Sequence, residues 1–181
     1  VDEHAESLPA RDRLEPAVLA RVLNGYFQRM SDVIHEHRGH VAHFLGDGIV
    51  AFFGYPLAHE SEADRAIRTG LEIIESLSKL EVPDVGHLQV RIGIATGLVV
   101  VSSAEKGAVG EAMNLAARLQ SIAEPGGIVV SERVHRLAGG NFQYEDLGEH
   151  ALKGIPLATR AWRVSGLGNA ESRFDAATED G

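Results

Sequence analysis

The chain has 181 residues, of which 44% are hydrophobic, and this is enough for one globular domain that buries its own core without a disulfide or metal staple. Its 17 Lys and Arg against 26 Asp and Glu leave a formal net charge of -9, which argues against a nucleic-acid partner bound through its phosphates. The sequence has no cysteine, no signal-peptide pattern and no apolar run long enough for a membrane span, so we expect a cytoplasmic domain.

The first half of the sequence predicts two amphipathic helices with a β-hairpin between them. Apolar residues recur with helical spacing over 16–37 and again over 63–79. The apolar runs 41–45 and 49–53 flank a Gly-Asp-Gly turn, the pattern of a hairpin, and Asp47 lies at its tip. Taken alone, this Asp is better explained by turn chemistry than by function.

The second half predicts shorter elements. Residues 88–101 are rich in β-branched side chains and predict a strand, broken near Thr96-Gly97. A loop is expected over 81–87, and a short helix over 111–123. Further elements follow in order: a strand over 128–131, a helical turn over 132–138, and strands over 142–147 and 159–164. The chain then becomes polar, so we divide it into a domain, 1–164, and a linker or tail, 165–181.

This order of elements indicates an α/β fold, an α+β sandwich with a ferredoxin-like βαββαβ core. Such a core needs one strand ahead of the first helix, because a crossover helix joins neighbouring parallel strands. The residues before Leu14 are polar and do not supply it. We therefore expect the first strand to be absent from this chain through truncation.

Asn114 and Arg118 are four residues apart on the predicted helix 111–123, so they project from one face. An amide and a guanidinium presented together suit an oxyanion or phosphate that gains charge during a reaction. For two isolated residues of these types, an ordinary solvated helix face is the more common explanation.

Four stretches, taken in order, resemble the class III nucleotide cyclases, the adenylate and guanylate cyclase catalytic domain. They are FLGDGIVAFFG at 44–54, RIGIATGLVV at 91–100, VGEAMNLAARLQSIAEPGGIVVSE at 109–132 and ALKG at 151–154. The likeness is greatest to bacterial cyclase domains that precede an ATPase module, in the same broad group as soluble adenylyl cyclase. An ATPase-type module would then follow this domain in the full protein.

The resemblance implies a reaction and a role for several residues. Such domains convert ATP, or GTP, to the 3′,5′-cyclic monophosphate and pyrophosphate, and they use two divalent ions per site, Mg²⁺ or Mn²⁺. By position in the motifs, Asp47 would bind metal, Asn114 would orient the ribose, Arg118 would stabilise charge on the α-phosphate and Lys153 would contact the terminal phosphates.

The resemblance also implies a homodimer whose two active sites are shared, with Asp47 from one subunit and Asn114 and Arg118 from the other. His43 and Gly107 occupy the positions that read the base in this family, although neither is the usual residue there. No acidic residue that would read guanine is visible, so ATP is the expected substrate and GTP stays open.

Two alternatives remain at this point. The first is a catalytically degenerate cyclase-like domain that binds nucleotide or dimerises to regulate an attached module. It is favoured by the altered base-reading pair and by the absence of the family's first metal-binding aspartate. The second is a ferredoxin-like interaction domain without any nucleotide role.

Overall fold

The structure is a computed structural model that describes residues 15–83, 85–102 and 107–168. Its helices are α1 (Pro16–Glu36), α2 (Glu62–Ser78), α3 (Glu111–Ile122) and α4 (Glu132–Ala138). Its strands are β1 (His40–Leu45), β2 (Gly48–Phe52), β3 (Glu81–Val82), β4 (Gly86–His87), β5 (Ile92–Ile94), β6 (Val100–Ser102), β7 (Gly107–Val109), β8 (Ile128–Ser131), β9 (Phe142–His150) and β10 (Thr159–Leu167). Among the described helices, none combines the length and the hydropathy that a membrane span requires.

The central sheet has four strands in the order β5-β8-β10-β9. Strand β5 runs parallel to β8, whereas β10 is antiparallel to both of its neighbours. The β1–β2 hairpin forms a separate two-stranded sheet, and within the described residues no ladder joins it to the four-stranded sheet. The fold is therefore a mixed α+β domain, as the sequence predicts.

The predicted helices and the hairpin are confirmed, and four predictions change. Strand β9, expected to end at Leu147, continues to His150, which pairs with Thr159. Residues 81–87, expected to be a loop, contain the short β3–β4 hairpin. The predicted strand 88–101 is divided, because β5 pairs with β8 whereas β6 turns back to pair with β7. Strand β10 continues beyond its expected end at Val164 to Leu167, because Gly166 and Leu167 still pair with β9.

Residues 1–14 lie outside the described part of the chain, so the expected absence of a strand ahead of α1 stays a prediction. Most of the predicted tail, from residue 169 onward, also lies outside it.

Helices cover both faces of the central sheet. On one face, Ile128 and Val130 of β8 are buried in a cluster with Ile67 of α2 and Val134 of α4. On the other face, the intervening residue Val129 is buried with Leu119 of α3. Alternation along one fully buried strand thus supplies both layers of the core.

Helix α1 packs against α2 and the hairpin. Met30, Val33 and Ile34 form the buried face of α1, and they share a cluster with Leu77 of α2. Side chains from both hairpin strands, including Val41 and Ile49, pack against the same cluster. The hairpin is therefore held by side-chain packing, and no described backbone ladder joins it to the four-stranded sheet.

Gly93 of β5 sets the distance between the sheet and α3. A Cβ at this position would lie 2.1 Å from the carbonyl oxygen of Ala116 and 2.4 Å from the backbone nitrogen of Gln120. Both atoms belong to the α3 backbone, which cannot rotate aside as a side chain does. Only glycine allows α3 to pack this closely on β5.

We predict that Gly93→Ala lowers the free energy of unfolding by about 1–3 kcal/mol, because the added methyl group overpacks a backbone contact. Gly25→Ala is the matched control. Gly25 lies within α1 with no atom within 4 Å of an added Cβ, so its replacement should stabilise the chain by about 0.5–1 kcal/mol. Urea denaturation measures both. Equal effects of the two substitutions would contradict the packing described here.

Candidate active site

Helix α3 presents Asn114 and Arg118 on the face turned away from the core. Ala112 and Leu119 are buried beneath the helix, whereas Asn114 is exposed and Arg118 is partly exposed. The backbone N–H of Asn114 donates to the carbonyl of Gly110, so Asn114 belongs to the first turn of α3. In the described part of the chain, no hydrogen bond engages either side chain, and both are available to a ligand.

Lys153 lies on the same side of the sheet as α3. It is exposed in the loop between β9 and β10, directly after Leu152. The Leu152 side chain is buried in the cluster that contains Leu119 of α3, and Ile155 packs against this cluster. The loop is therefore anchored beside the helix that carries Asn114 and Arg118. The sequence pattern alone contained no sign of this anchor.

Asp47 lies at the tip of the β1–β2 hairpin, as predicted. Leu45 pairs with Gly48, so Gly46 and Asp47 form the turn. Gly46 has a φ of 59°, a left-handed conformation that glycine adopts without strain. The Asp47 side chain is exposed, which leaves its carboxylate oxygens accessible.

The negative charge of Asp47 acts on Tyr26 of α1. Burial raises the pKa of Tyr26 to about 12, and the negative charge of Asp47 adds to this rise. The ring of Tyr26 lies 5.4 Å from that of Phe27, which in turn lies 5.0 Å from Phe44 of β1. Reasoning from the sequence missed Tyr26, because helical spacing marks it only as a core-facing residue.

The two candidate base-reading residues lie on strands of different sheets. His43 is half-buried in β1, where it pairs with Val50. Gly107 begins β7 and pairs with Ser102. Strands β1 and β7 belong to different sheets among the described strands.

The candidate residues thus form two groups on different parts of the domain. Asp47 is carried by the hairpin on α1, whereas Asn114, Arg118 and Lys153 are carried by α3 and its neighbouring loop. A pocket of about 380 Å³ between α1 and α2 and another of about 250 Å³ beside the C-terminal end of α2 contain none of these residues.

Each group has a distinct chemical capacity. The amide of Asn114 and the guanidinium of Arg118 are N–H donors suited to a ribose oxygen or a phosphate, and Lys153 adds a point charge for phosphate. A carboxylate such as Asp47 is the kind of ligand that Mg²⁺ and Mn²⁺ prefer. No group of three or more His, Cys, Asp or Glu side chains that could hold a metal occurs among the described residues.

Exposed apolar side chains lie beside both groups. Phe44 and Leu45, next to the hairpin tip, are 53% and 59% exposed. Leu98 and Val100, which precede α3 in the chain, are 83% and 57% exposed. Such residues are typical of a surface that another protein chain covers.

This α+β architecture, with helices on both faces of a mixed sheet and a separate hairpin, defines the class of fold. Residues 6–166 match the family described as the adenylate and guanylate cyclase catalytic domain, and the chain belongs to this family.

Two relatives come from Rhizobium meliloti (strain 1021). An uncharacterized protein is 36% identical over 151 residues, which cover 79% of this chain and 15% of that protein. Adenylate cyclase 1 is 27% identical over 175 residues, which cover 90% of this chain and 26% of that protein. The chain thus spans about a quarter or less of the length of these two relatives.

The fold is also that of a solved cyclase. The crystal structure of the guanylyl cyclase Cya2 matches with a TM-score of 0.81 and 33% sequence identity, and the match covers 88% of this chain and 86% of that chain. The resemblance drawn from the four sequence stretches is therefore confirmed at the level of family and fold.

We predict that Tyr26 and Tyr144 lose their phenolic protons near pH 12. Burial also raises the pKa of Tyr144 to about 12, with a further contribution from Asp64. Because these pKa values are raised in the folded chain, their contribution to stability is complete below about pH 10 and is lost as the pH rises through about 12. Absorbance of the phenolate form measures the titration.

Asp47→Asn should lower the pKa of Tyr26 and leave that of Tyr144 unchanged, since the charge of Asp47 contributes to the raised pKa of Tyr26 whereas that of Asp64 contributes for Tyr144. The single variants Tyr26→Phe and Tyr144→Phe assign the two transitions. If Asp47→Asn altered neither transition, the charge of Asp47 would not act on Tyr26.

Proposed function

We propose that this chain is the catalytic domain of a nucleotidyl cyclase that converts ATP to 3′,5′-cyclic AMP and pyrophosphate in cyclic-nucleotide signalling. The observation that carries the proposal is the shared packing of Leu119 and Leu152. It supports a surface on which Asn114, Arg118 and Lys153 bind one nucleoside triphosphate. The ribose 3′-oxygen attacks the α-phosphorus, the bond from that phosphorus to the β-phosphate bridging oxygen breaks, and pyrophosphate leaves.

Each residue of the α3 group has a separate role in this reaction. Asn114 holds the ribose so that its 3′-oxygen is directed at the α-phosphorus. Arg118 donates hydrogen bonds to the α-phosphate oxygens, where charge increases in the transition state. Lys153 binds the terminal phosphates and stabilises the leaving pyrophosphate.

The residues fit a divalent ion bound mainly by the substrate. Mg²⁺ in nucleotide enzymes is held by one or two carboxylates together with substrate phosphates, and Asp47 offers an exposed carboxylate for this purpose. When bound, Mg²⁺ or Mn²⁺ supplies Lewis-acid stabilisation of the phosphate charge, two ions per site being the family pattern. Asp47 is the one described residue to which we assign this role.

ATP is the proposed substrate, and His43 and Gly107 are the proposed base-reading positions. Neither residue carries a carboxylate, the acceptor that would bind the N1–H and amino group of guanine. The named relatives include both an adenylate and a guanylyl cyclase, so substrate choice depends on the residues of this chain.

A homodimer with shared sites follows from the separation of the two groups. The hairpin with Asp47 and the α3 surface lie on different parts of one chain, and exposed apolar side chains flank both. A two-fold symmetric pair of copies would cover these side chains and bring the Asp47 of each copy to the α3 surface of the other. We further propose a cytoplasmic location and an ATPase-type module in the full protein.

A catalytically silent domain is the second candidate function. It is favoured by His43 and Gly107, neither of which is the residue usual in the family at its base-reading position. Binding of nucleotide or dimerisation alone would then regulate an attached module. ATP binding without any cyclic product would identify this function.

We predict that Arg118→Ala lowers kcat for cyclic AMP formation by about 10²–10³-fold, the usual cost of removing one donor to a developing oxyanion. The free energy of unfolding should change by less than about 0.5 kcal/mol. The Arg118 side chain is partly exposed, and in the described part of the chain it makes no hydrogen bond or ion pair. Arg133→Ala is the control, since Arg133 is an exposed arginine on α4, across the sheet from α3. Unchanged turnover in Arg118→Ala would exclude its proposed role.

Mixing two inactive variants tests the shared site. Asp47→Asn and Arg118→Ala homodimers should each be inactive, whereas an equimolar mixture should regain about a quarter of the wild-type activity. Half of the dimers are then mixed dimers, and each of these has one site with both native residues. Native mass spectrometry confirms that mixed dimers form. If they form without regaining activity, the two residues do not act across the interface.

A further inference from the structure

The N-terminus of α3 is in direct backbone contact with the connection between β5 and β6. A Cβ on Gly110, the residue directly before α3, would lie 2.5 Å from the carbonyl oxygen of Leu98 and 3.0 Å from the Cα of Val99. The φ of Gly110 is 171°, an extended conformation that other residues also adopt. The need for glycine at this position therefore comes from the close approach of two backbone segments.

The same connection also contacts the first turn of α3 at a second point. A Cβ on Gly97 would lie 3.3 Å from the Cβ of Ala112, which is buried on α3. Further along, Val100 of β6 pairs with Val109 of β7, and Gly110 follows directly. Residues 97–99 thus form a backbone support for the first turn of α3.

Asn114 depends on this first turn. Its backbone N–H donates to the carbonyl of Gly110 over 3.3 Å. The middle of α3 is held separately, because the helix backbone packs on Gly93 of β5. A displacement at Gly110 is therefore taken up by the first turn, which carries Asn114, and Arg118 lies one turn further on.

We propose that Gly110 is a positioning residue that directs the Asn114 amide at the ribose of the substrate. This inference rests on the proposed function, because it takes Asn114 as the residue that orients the ribose 3′-oxygen. To restore even 3.0 Å between a Cβ at residue 110 and the Leu98 oxygen, the first turn has to move outward by about 0.5 Å. A misplacement of about 1 Å can lower a rate by about 10²-fold.

The test compares Gly110→Ala with a matched substitution away from α3. Gly168→Ala is the control, because a Cβ on Gly168 would lie 2.4 Å from the backbone carbonyl oxygen of Gly140, in the turn that precedes β9. Gly110→Ala should lower kcat for cyclic AMP formation by about 10-fold or more, whereas Gly168→Ala should leave kcat unchanged. The affinity for an ATP analogue that lacks the 3′-hydroxyl, measured by calorimetry with Mn²⁺, should stay close to that of the wild type in both variants.

Two further measurements separate positioning from a general loss of structure. In an Asn114→Ala background, Gly110→Ala should cause little further loss of kcat, because the group that it displaces is absent. Hydrogen exchange should become faster at the backbone N–H of Asn114 in Gly110→Ala and not in Gly168→Ala. Equal losses of kcat in the wild-type and Asn114→Ala backgrounds would overturn the inference.

Gly97→Ala is a milder variant of the same support, since its Cβ would meet only the Cβ of Ala112 at 3.3 Å. It should lower kcat by a smaller factor than Gly110→Ala, again without loss of analogue affinity. If Gly110→Ala does not fold, Gly97→Ala decides the question, and an unchanged kcat in this variant would contradict a positioning role for the contact.

Failure of the inference and failure of the proposed function give different results. If Asn114→Ala lowers kcat and Gly110→Ala does not, the positioning role of Gly110 is wrong and the role of Asn114 stands. If Asn114→Ala leaves kcat unchanged, Asn114 does not orient the ribose, and the inference built on it is overturned as well. If the wild-type protein forms no cyclic product, the proposed function itself is wrong.

Discussion

The contact between Gly93 and the backbone of α3 is the constraint on which the candidate catalytic surface depends. With no side chain at this position, the Ala116 carbonyl and the Gln120 N–H of α3 pack directly on β5. This packing sets the height of α3 above the sheet, and the buried Leu119 sets its rotation. Asn114 and Arg118 then project from the opposite face, and Leu152 holds the Lys153 loop beside them.

The second half of the site depends on a separate support. The β1–β2 hairpin shares no described ladder with the central sheet, so its position is set by side-chain packing on α1. The carboxylate at its tip is consequently controlled by α1, whereas the phosphate-binding group is controlled by α3. In the homodimer that we propose, the Asp47 of one copy and the α3 group of the other would complete each site.

The sequence was sufficient to predict those elements whose structure depends on the local spacing of apolar and turn residues. Helical periodicity predicted α1, α2 and α3, and the Gly-Asp-Gly turn predicted the hairpin with Asp47 at its tip. The spacing of residues did not reveal that β5 and β6 are separate strands in different sheets, because both segments are rich in β-branched residues. The sequence also did not reveal that Leu152 packs in the same cluster as Leu119, or that the charge of Asp47 acts on Tyr26. Both relations depend on how distant elements pack.

The proposed cyclase activity is tested most directly by identifying the product that the protein forms from a nucleoside triphosphate. The protein is incubated with ATP or with GTP in the presence of Mn²⁺, and the products are separated by chromatography and identified by mass spectrometry. A cyclase of the proposed kind yields 3′,5′-cyclic AMP and pyrophosphate in equal amounts from ATP, and less cyclic product from GTP. No cyclic product from either nucleotide, with ATP still bound, would contradict a catalytic role and indicate a nucleotide-binding module.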